Sequence, residues 1–285
     1  MNNASKRILL INDVVGYSHV GMVAMLPILT YMGHETYNLP TALVSNTLDY
    51  GDFNVVETTG YMRGTLPVWR KLGFRFDAVC TGLMFSEEQA RLVSDYCRQL
   101  HDEGTTVFVD PIMGDGGHLY NGMGQHNVEL MREMVSVADL IFPNLTEACY
   151  LTGTPFRKDG FDRAEINIIL DKLVALGAKS AIITSARVDG RNCVVGRRSD
   201  EPLAGFSQQL TEGPYFMIEY DEIPKAFHGT GDIFSAVVIG HLMSGMPLRE
   251  STRTAMTVVS RLIERNLDQT DLCMGIPIEK CLDLL

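Results

Sequence analysis

Two glycines and a carboxylate mark the most suggestive run of the sequence, at residues 228–236. Gly229 and Gly231 carry no Cβ, so the backbone N–H groups around them can converge on one point. At a helix N-terminus, such donors bind anions and suit the charge of a transferring phosphoryl group. Asp232, next to Thr230 and these glycines, could then accept a proton from a hydroxyl. A tight turn followed by an acid in the first helical turn is an equally open alternative.

Carboxylates and amides recur in two further runs that follow apolar stretches. Asp110 and Asp115 belong to a glycine-rich run, and hard oxygen ligands of this kind suit Mg²⁺ or polyphosphate. They could instead accept hydrogen bonds from their own turn. Asn144 and Glu147 have the spacing of a helix capping box, although a carboxylate there could also hold a metal-bound water. The two runs therefore favour phosphate chemistry without excluding a structural role.

The composition excludes several classes of protein. The 285 residues carry 24 Lys and Arg against 35 Asp and Glu, a formal charge of −11, with no basic run suited to a nucleic acid. An anionic ligand must therefore be held locally, by backbone amides or a metal ion. The longest apolar stretch falls well short of the ~20 residues of a membrane span, and the scattered cysteines indicate a reducing compartment. We expect a cytoplasmic protein that binds neither nucleic acid nor a membrane.

Short apolar runs alternate with segments of helical periodicity, and these elements must position the polar residues. Strands are predicted at 7–12, 41–44, 78–81, 106–109, 140–142, 181–184, 192–196 and 215–220. Helices are predicted at 19–33, 62–72, 86–103, 124–136, 145–152, 162–176, 233–244 and 248–266. The last two strands are more polar, which is typical of edge or antiparallel strands.

This order predicts an α/β fold with a doubly wound, mostly parallel central sheet and helices on both of its faces. No linker or repeat interrupts it, so we expect a single domain over residues 1–285. In an open parallel sheet, ligands bind beyond the carboxyl ends of the strands. Most of the unusual polar residues of this chain follow predicted strands, so we expect them at that edge.

In their order along the chain, these motifs resemble the ribokinase-like superfamily, and in particular its pyridoxal kinase branch. The similarity runs from Ile8 to about Ser244, most of the chain. It rests on Ser45-Asn46 with Tyr50-Gly51, Thr81-Gly82, Asp110 to Gly114, Pro143-Asn144-Leu145 with Glu147, Thr184-Ser185 and Gly229 to Asp232. Each motif is weak alone, but their order and spacing are specific.

The resemblance implies an ATP- and Mg²⁺-dependent kinase that phosphorylates the 5′-hydroxymethyl group of a B6 vitamer. Asp232 would be the general base, and the amides of Gly229, Thr230 and Gly231 would stabilise the γ-phosphoryl group. The positions that match ATP contacts are Asp110, Asp115, Tyr120, Asn144, Glu147, Thr184, Ser185 and Thr230. The positions that match metal ligands are Asp110, Asp115 and Glu147.

The resemblance also implies a mobile cover over ATP in the segment 206–227 and a homodimer. Whether a monovalent cation is also needed stays open. The sequence from about Asp268 onward carries no motif that the resemblance explains.

The positions that match substrate contacts are Asp13, Val44, Ser45, Leu48, Leu83 and Asp232. Four of them, namely Asp13, Val44, Leu48 and Leu83, depart from the family pattern. Asp13 stands where the family usually has a serine beside the pyridine nitrogen, and a carboxylate there would pair with a protonated pyridinium. Val44, Leu48 and Leu83 replace a phenylalanine, a threonine and an aromatic residue, so the contacts to the substrate ring are altered. The sequence therefore leaves the preferred vitamer open.

Several alternatives remain at this point. A hydroxymethylpyrimidine (phosphate) kinase would share the fold, but those enzymes typically carry a cysteine at the position of Asp232. A sugar kinase usually adds a separate lid sheet, for which the span between Ile11 and Thr41 leaves little room. Another small-alcohol kinase, a non-catalytic nucleotide-binding protein and a hydrolase that uses Asp110 and Asp115 with Mg²⁺ also stay open.

Overall fold

The computed structural model describes residues 5–120, 123–199 and 213–285. The chain forms two compact units, one from Met1–Phe85 with Ile223–Leu285 and one from Ser86–Glu222. We call them the first and the second unit. The expectation of a single domain over residues 1–285 stays a prediction.

The helices lie where their apolar periodicity predicts them, to within about three residues. In the part of the chain that the structure describes, they are α1 (Met22–Tyr31), α2 (Thr59–Leu72), α3 (Glu87–Asp102), α4 (Gln125–Val135), α5 (Leu145–Thr152), α6 (Arg163–Ala175), α7 (Thr230–Met243) and α8 (Leu248–Arg265). Helix α7 is buried almost all round because it is apolar on every face, and it packs on α1 and α8. Its first turn, where Gly231 is exposed and Asp232 is half-buried, is its most exposed part.

The strands include every predicted one and several more. Those described are β1 (Arg7–Ile11), β2 (Val14–Tyr17), β3 (Glu35–Asn38), β4 (Ala42–Asn46), β5 (Val55–Glu57), β6 (Ala78–Thr81), β7 (Thr106–Val109), β8 (Gly114–Asp115), β9 (His118–Leu119), β10 (Leu140–Ile141), β11 (Ser180–Val188), β12 (Arg191–Arg197) and β13 (Tyr215–Glu219). The additional strands are short or polar, and period-based reasoning passes over such segments.

In the first unit, β1 pairs in parallel with β3 on one side and β6 on the other. Ile8 lies opposite Thr36 and Ala78, and the apolar side chains of β1 and β6 are buried on both faces. In the second unit, β10 pairs in parallel with β7 and β11, whereas β12 and β13 add antiparallel strands. The predicted α/β class with a mostly parallel sheet is confirmed, as is the antiparallel setting of the last two predicted strands.

A separate three-stranded sheet in the first unit corrects the expectation drawn from the short span between Ile11 and Thr41. Strand β2 pairs in parallel with β4, which pairs antiparallel with β5. No strand was predicted at the positions of β2 and β5, whereas β4 overlaps the strand predicted at 41–44. Strand β4 belongs here because its side chains alternate, with Val44 buried and Leu43 exposed, as in a sheet with one covered face.

Two further features concern the helices and the cysteines. No helix within residues 5–120, 123–199 and 213–285 combines the length and the apolar character needed to cross a membrane. All six cysteines are free thiols, and five are buried while Cys273 is partly exposed. The five buried cysteines therefore act in the packing of the fold.

Candidate active site

The carboxylate of Asp232 lies at the N-terminal end of α7 and is held by two donors in the first unit. The backbone N–H of Gly21 donates to its Oδ2 at 2.9 Å, and Nδ2 of Asn12 donates to its Oδ1 at 3.4 Å. Burial raises the pKa of Asp232, while these two hydrogen bonds oppose the rise. The result is an oriented carboxylate whose basicity exceeds that of an ordinary aspartate, as a general base requires.

Two glycines with positive φ bring the backbone close to this carboxylate. Gly229 caps α7 with φ 78°, and a Cβ there would lie 2.6 Å from the carbonyl oxygen of His19. Gly21 precedes α1 with φ 58°, and a Cβ there would lie 2.6 Å from Oδ1 of Asp13. Neither position accepts a side chain without displacement, because both the backbone conformation and the space require glycine. Gly21 is a site residue that the sequence analysis missed.

Asp13 is a buried carboxylate beside Asp232. It is 7% exposed, and burial, followed by the negative charge of Asp232, raises its pKa to about 7. Its own backbone N–H opposes this rise, but that N–H also donates to Oδ1 of Asn12. A buried carboxylate with so little compensation favours a protonated state or a cationic ligand.

Asn12 links three predicted site residues, although the sequence analysis gave it no role. Its Oδ1 accepts the backbone N–H groups of Asp13 and Leu83, each at 3.0 Å, while its Nδ2 faces Asp232. The side chain is almost fully buried at the end of β1. It therefore fixes the ends of two parallel strands relative to the carboxylate of α7.

The other predicted substrate positions have different surroundings. Val44 is buried in an apolar cluster with Val15 and Ala42, against which the partly buried Leu48 packs. Ser45 is exposed; its Oγ donates to Oδ1 of Asn46 and accepts the backbone N–H of Asn54. These contacts lie within the small sheet and its turn. The substrate-binding roles of Val44, Ser45 and Leu48 stay predictions.

In the second unit, Asn144 and Glu147 form the capping box that their spacing predicts at the start of α5. Oδ1 of Asn144 accepts the N–H of Glu147 at 3.0 Å, and Oε2 of Glu147 accepts the N–H of Asn144 at 2.8 Å. The pair also holds the glycine-rich loop, since Oε1 of Glu147 accepts the N–H of Met113 and Nδ2 of Asn144 donates to the carbonyl of Gly114. The structural interpretation of this motif is therefore confirmed, and it places Asp115 close to Glu147.

Besides capping α5, Glu147 has a shifted pKa. Burial raises its pKa to about 8 despite the N–H donors around it, and the negative charge of Asp115 adds to the rise. Both oxygens of Glu147 already accept backbone N–H groups, so the exposed Asp115 is the carboxylate here that is open to a divalent cation. Among the residues that the structure describes, no three His, Cys, Asp or Glu side chains come together as a ready metal site. Mg²⁺ would therefore rely on phosphate and water oxygens for most of its ligands.

The remaining nucleotide positions lie around the same loop and on β11. Asp110 is partly exposed directly after β7, and Tyr120 is 42% exposed at the end of the loop. Thr184 and Ser185 lie where the pairing of β11 with β12 shifts by one residue, which is a β-bulge. Bulges re-aim side chains near functional sites. Of the proposed cover, residues 206–212 lie outside the described residues, and residues 215–219 form β13.

Comparison with known proteins fits this arrangement. Residues 32–275 match the family model described as phosphomethylpyrimidine kinase. A pyridoxine/pyridoxal/pyridoxamine kinase of Bordetella avium is 30% identical over 260 residues, which cover 86% of this chain and 80% of that protein.

Solved structures agree in fold. A Bacteroides thetaiotaomicron protein assigned to phosphomethylpyrimidine kinase, crystallised with pyridoxal, has a TM-score of 0.89 and 31% identity, covering 98% of this chain and 96% of that one. The pyridoxal kinase of Lactobacillus plantarum has a TM-score of 0.84 and 27% identity, covering 98% and 95%. The predicted ribokinase-like fold is thereby confirmed.

Fold and comparisons together define an ATP-dependent phosphotransferase with a ribokinase-like fold. The chain belongs to the phosphomethylpyrimidine kinase family. The resemblance to pyridoxal kinases drawn from the sequence motifs is confirmed by the relatives of that name.

Proposed function

We propose that this protein transfers the γ-phosphoryl group of ATP to the 5′-hydroxymethyl group of a B6 vitamer. The observation that carries the proposal is the carboxylate of Asp232, oriented by Gly21 and Asn12 at the start of a buried helix, with a raised pKa. The sister proteins named for pyridoxal or crystallised with it support this substrate class. Asp232 accepts the hydroxyl proton, and the amides of Gly229 to Gly231 face the transferring phosphoryl group.

Asp13 supports a cationic ring as the acceptor. A buried carboxylate with a pKa of about 7 is half ionised near neutral pH, and it lacks a cation among the described residues. A protonated pyridine N–H would supply both the proton and the charge, as a charge-assisted hydrogen bond. Asp13 therefore selects for a basic nitrogen heterocycle.

On the nucleotide side, Asp110, Asp115 and Glu147 would hold Mg²⁺, Glu147 through a bound water. When bound, the ion neutralises phosphate charge and leaves the phosphoryl group open to attack. Asn144, Tyr120, Thr184 and Ser185 bind the nucleotide in this proposal. A homodimer and a cytoplasmic location complete it, the former testable by light scattering on the purified protein.

A pyrimidine alcohol is the second candidate, because the family model is described as phosphomethylpyrimidine kinase. The carboxylate at position 232 and the acid at position 13 favour the B6 ring over it. The discriminating experiment is an ATP/Mg²⁺ assay that offers pyridoxal, pyridoxamine, pyridoxine and hydroxymethylpyrimidine side by side. We expect turnover of at least one B6 vitamer well above that of the pyrimidine; turnover of the pyrimidine alone would overturn the proposal.

Glu147→Gln is expected to raise the Mg²⁺ concentration needed for half-maximal activity, because the variant keeps the side-chain shape but loses the charge. The measurement is a Mg²⁺ titration of the kinase rate at fixed ATP. Glu165→Gln is the matched control, since Glu165 completes the same kind of capping box with Asp162 at the exposed start of α6. If both variants shift only thermal stability and leave the Mg²⁺ dependence alone, Glu147 is a cap and no more.

A further inference from the structure

The segment from Asp271 to Gly275 carries no recognisable sequence motif, yet it is hydrogen-bonded to the loops that surround the acceptor site. The carbonyl of Cys273 accepts Oγ of Ser18 at 3.1 Å and Oγ1 of Thr47 at 2.6 Å. The carbonyl of Met274 accepts the N–H of His19 at 2.7 Å. We call residues 271–275 the carboxy-terminal strap.

The strap also reaches the substrate-side turn and the anion-hole loop. The hydroxyl of Tyr50 donates to Oδ2 of Asp271 at 2.5 Å. The N–H of His228, which directly precedes Gly229, donates to the carbonyl of Leu272 at 3.2 Å. One five-residue segment is thus bonded to three loops of the first unit.

The strap, the Ser18–Gly21 loop and the loop that ends at Gly229 are in contact around the carbonyl oxygen of His19. A Cβ on Gly275 would lie 2.7 Å from this oxygen, and a Cβ on Gly229 would lie 2.6 Å from it. Both glycines have positive φ, 75° and 78°. Because His19 lies two residues before Gly21, the same packing sets the direction of the Gly21 N–H that donates to Asp232.

We propose that the carboxy-terminal strap is a positioning element of the acceptor site, which fixes His19 and thereby the Gly21 N–H on Asp232. The inference rests on the proposed function for its catalytic meaning, although its geometry stands without it. The strap touches no reacting atom in this scheme. It acts through the backbone of the Ser18–Gly21 loop, and Tyr50 and Thr47 hold the neighbouring turn against it.

The test is the substitution Gly275→Ala, paired with Gly73→Ala. Gly73 caps α2 with φ 74°, so alanine meets the same backbone strain there, but nothing lies within 4 Å of its Cβ. The readout is the titration of the Asp232 carboxyl, followed by carbon NMR of protein labelled at its aspartates and assigned with Asp232→Asn. This readout needs neither substrate nor turnover.

The expected result has a definite sign. The Gly21 N–H lowers the pKa of Asp232, and Asp13 is the titratable neighbour that also acts on this site. Displacing the loop weakens the hydrogen bond, so the Asp232 titration should move to higher pH by about half to one unit in Gly275→Ala. Gly73→Ala should leave it in place. If the Asp232 carboxyl titrates at the same pH in Gly275→Ala and in Gly73→Ala, the inference is overturned.

Thr47→Val keeps the inference testable if Gly275→Ala does not fold. Valine preserves the shape and removes the bond to the Cys273 carbonyl. We expect its Asp232 titration to move in the same direction as that of Gly275→Ala, by up to about half a unit. An Asp232 titration unchanged from wild type would count against the strap. Wild-type protein that phosphorylates no vitamer would overturn the proposed function alone, because the Asp232 titration would still report on the strap.

Discussion

Asp232→Asn is expected to lower kcat by roughly 10²–10⁴-fold, the usual contribution of a general base, with little change in ATP affinity. Asparagine keeps the shape, so the N–H of Gly21 still finds an oxygen, but the variant has no basic site for the hydroxyl proton. The raised pKa of Asp232 adds to the expected loss, because a stronger base assists more. Rapid-quench or steady-state kinetics, with ATP binding followed separately by calorimetry, would measure both quantities.

Glu250→Gln provides the control for the structural alternative. Glu250 is an exposed acid in the first turn of α8, where it interacts with the helix dipole and nothing else in the proposed chemistry. If Asp232 were only an acid of this kind, the two variants would lose similar, small amounts of stability and keep their kcat. A folded Asp232→Asn protein with wild-type kcat would remove the catalytic role.

Asp13→Asn is expected to stabilise the protein at pH 8 and to impair it as an enzyme. Burial and the neighbouring Asp232 hold the pKa of Asp13 at about 7, against an ordinary value of 3.8. The folded state therefore retains a proton that the unfolded chain loses, and the stability this proton gives is present below about pH 4 and is lost as pH rises through about 7. Asparagine has no carboxyl group to ionise, so the variant does not lose this stability as the pH rises.

The size of the effect makes it measurable. A gain of about 2 kcal/mol would raise the Tm of a chain of this size by about 4 °C. The difference between variant and wild type should shrink as the pH falls from 8 toward 4, and scanning calorimetry across this range would show it. Asp268→Asn is the matched control, since Asp268 is exposed in the same unit. A stability difference that does not change with pH would show that Asp13 is not buried in its charged form.

The activity of Asp13→Asn completes this prediction. Loss of the carboxylate removes the partner of a cationic ring, so kcat/KM for the vitamer should fall while the ATP KM stays the same. The neighbouring charge also disappears, which should lower the pKa of Asp232 and move the acid limb of the kcat profile to lower pH. A collapse of ATP binding would contradict the assignment of the end of β1 to the acceptor site.

The sequence predicts the helices and the buried parallel strands because their signals are periodic and local. Strand β3 has the sequence Glu-Thr-Tyr-Asn, which carries no apolar pattern, and β5 is only three residues long, too short for one to be read. The small sheet was missed for the same reason, since it depends on pairing between β2, β4 and β5 that no local signal encodes. The long-range pairing of short strands could therefore not be predicted from the sequence.

The site shows a similar division. Asp232, Asp13 and Glu147 could be predicted because an acid beside glycines, or after a buried strand, is unusual in type and place. Asn12 and Gly21 act through the direction of single polar groups, which depends on where β1, α1 and α7 meet. A glycine between an apolar residue and a helix was the available signal for Gly21, and it is weak without a structure.

The partly exposed thiol in the carboxy-terminal strap has a practical consequence. Because the other five cysteines are buried, Cys273 is the native attachment point for a fluorophore or spin label, with no engineered site required. Burial and the charges of Asp49 and Asp271 raise its pKa, so labelling should accelerate as the pH rises. A dye at this position would report on the segment whose carbonyl groups accept hydrogen bonds from Ser18 and Thr47.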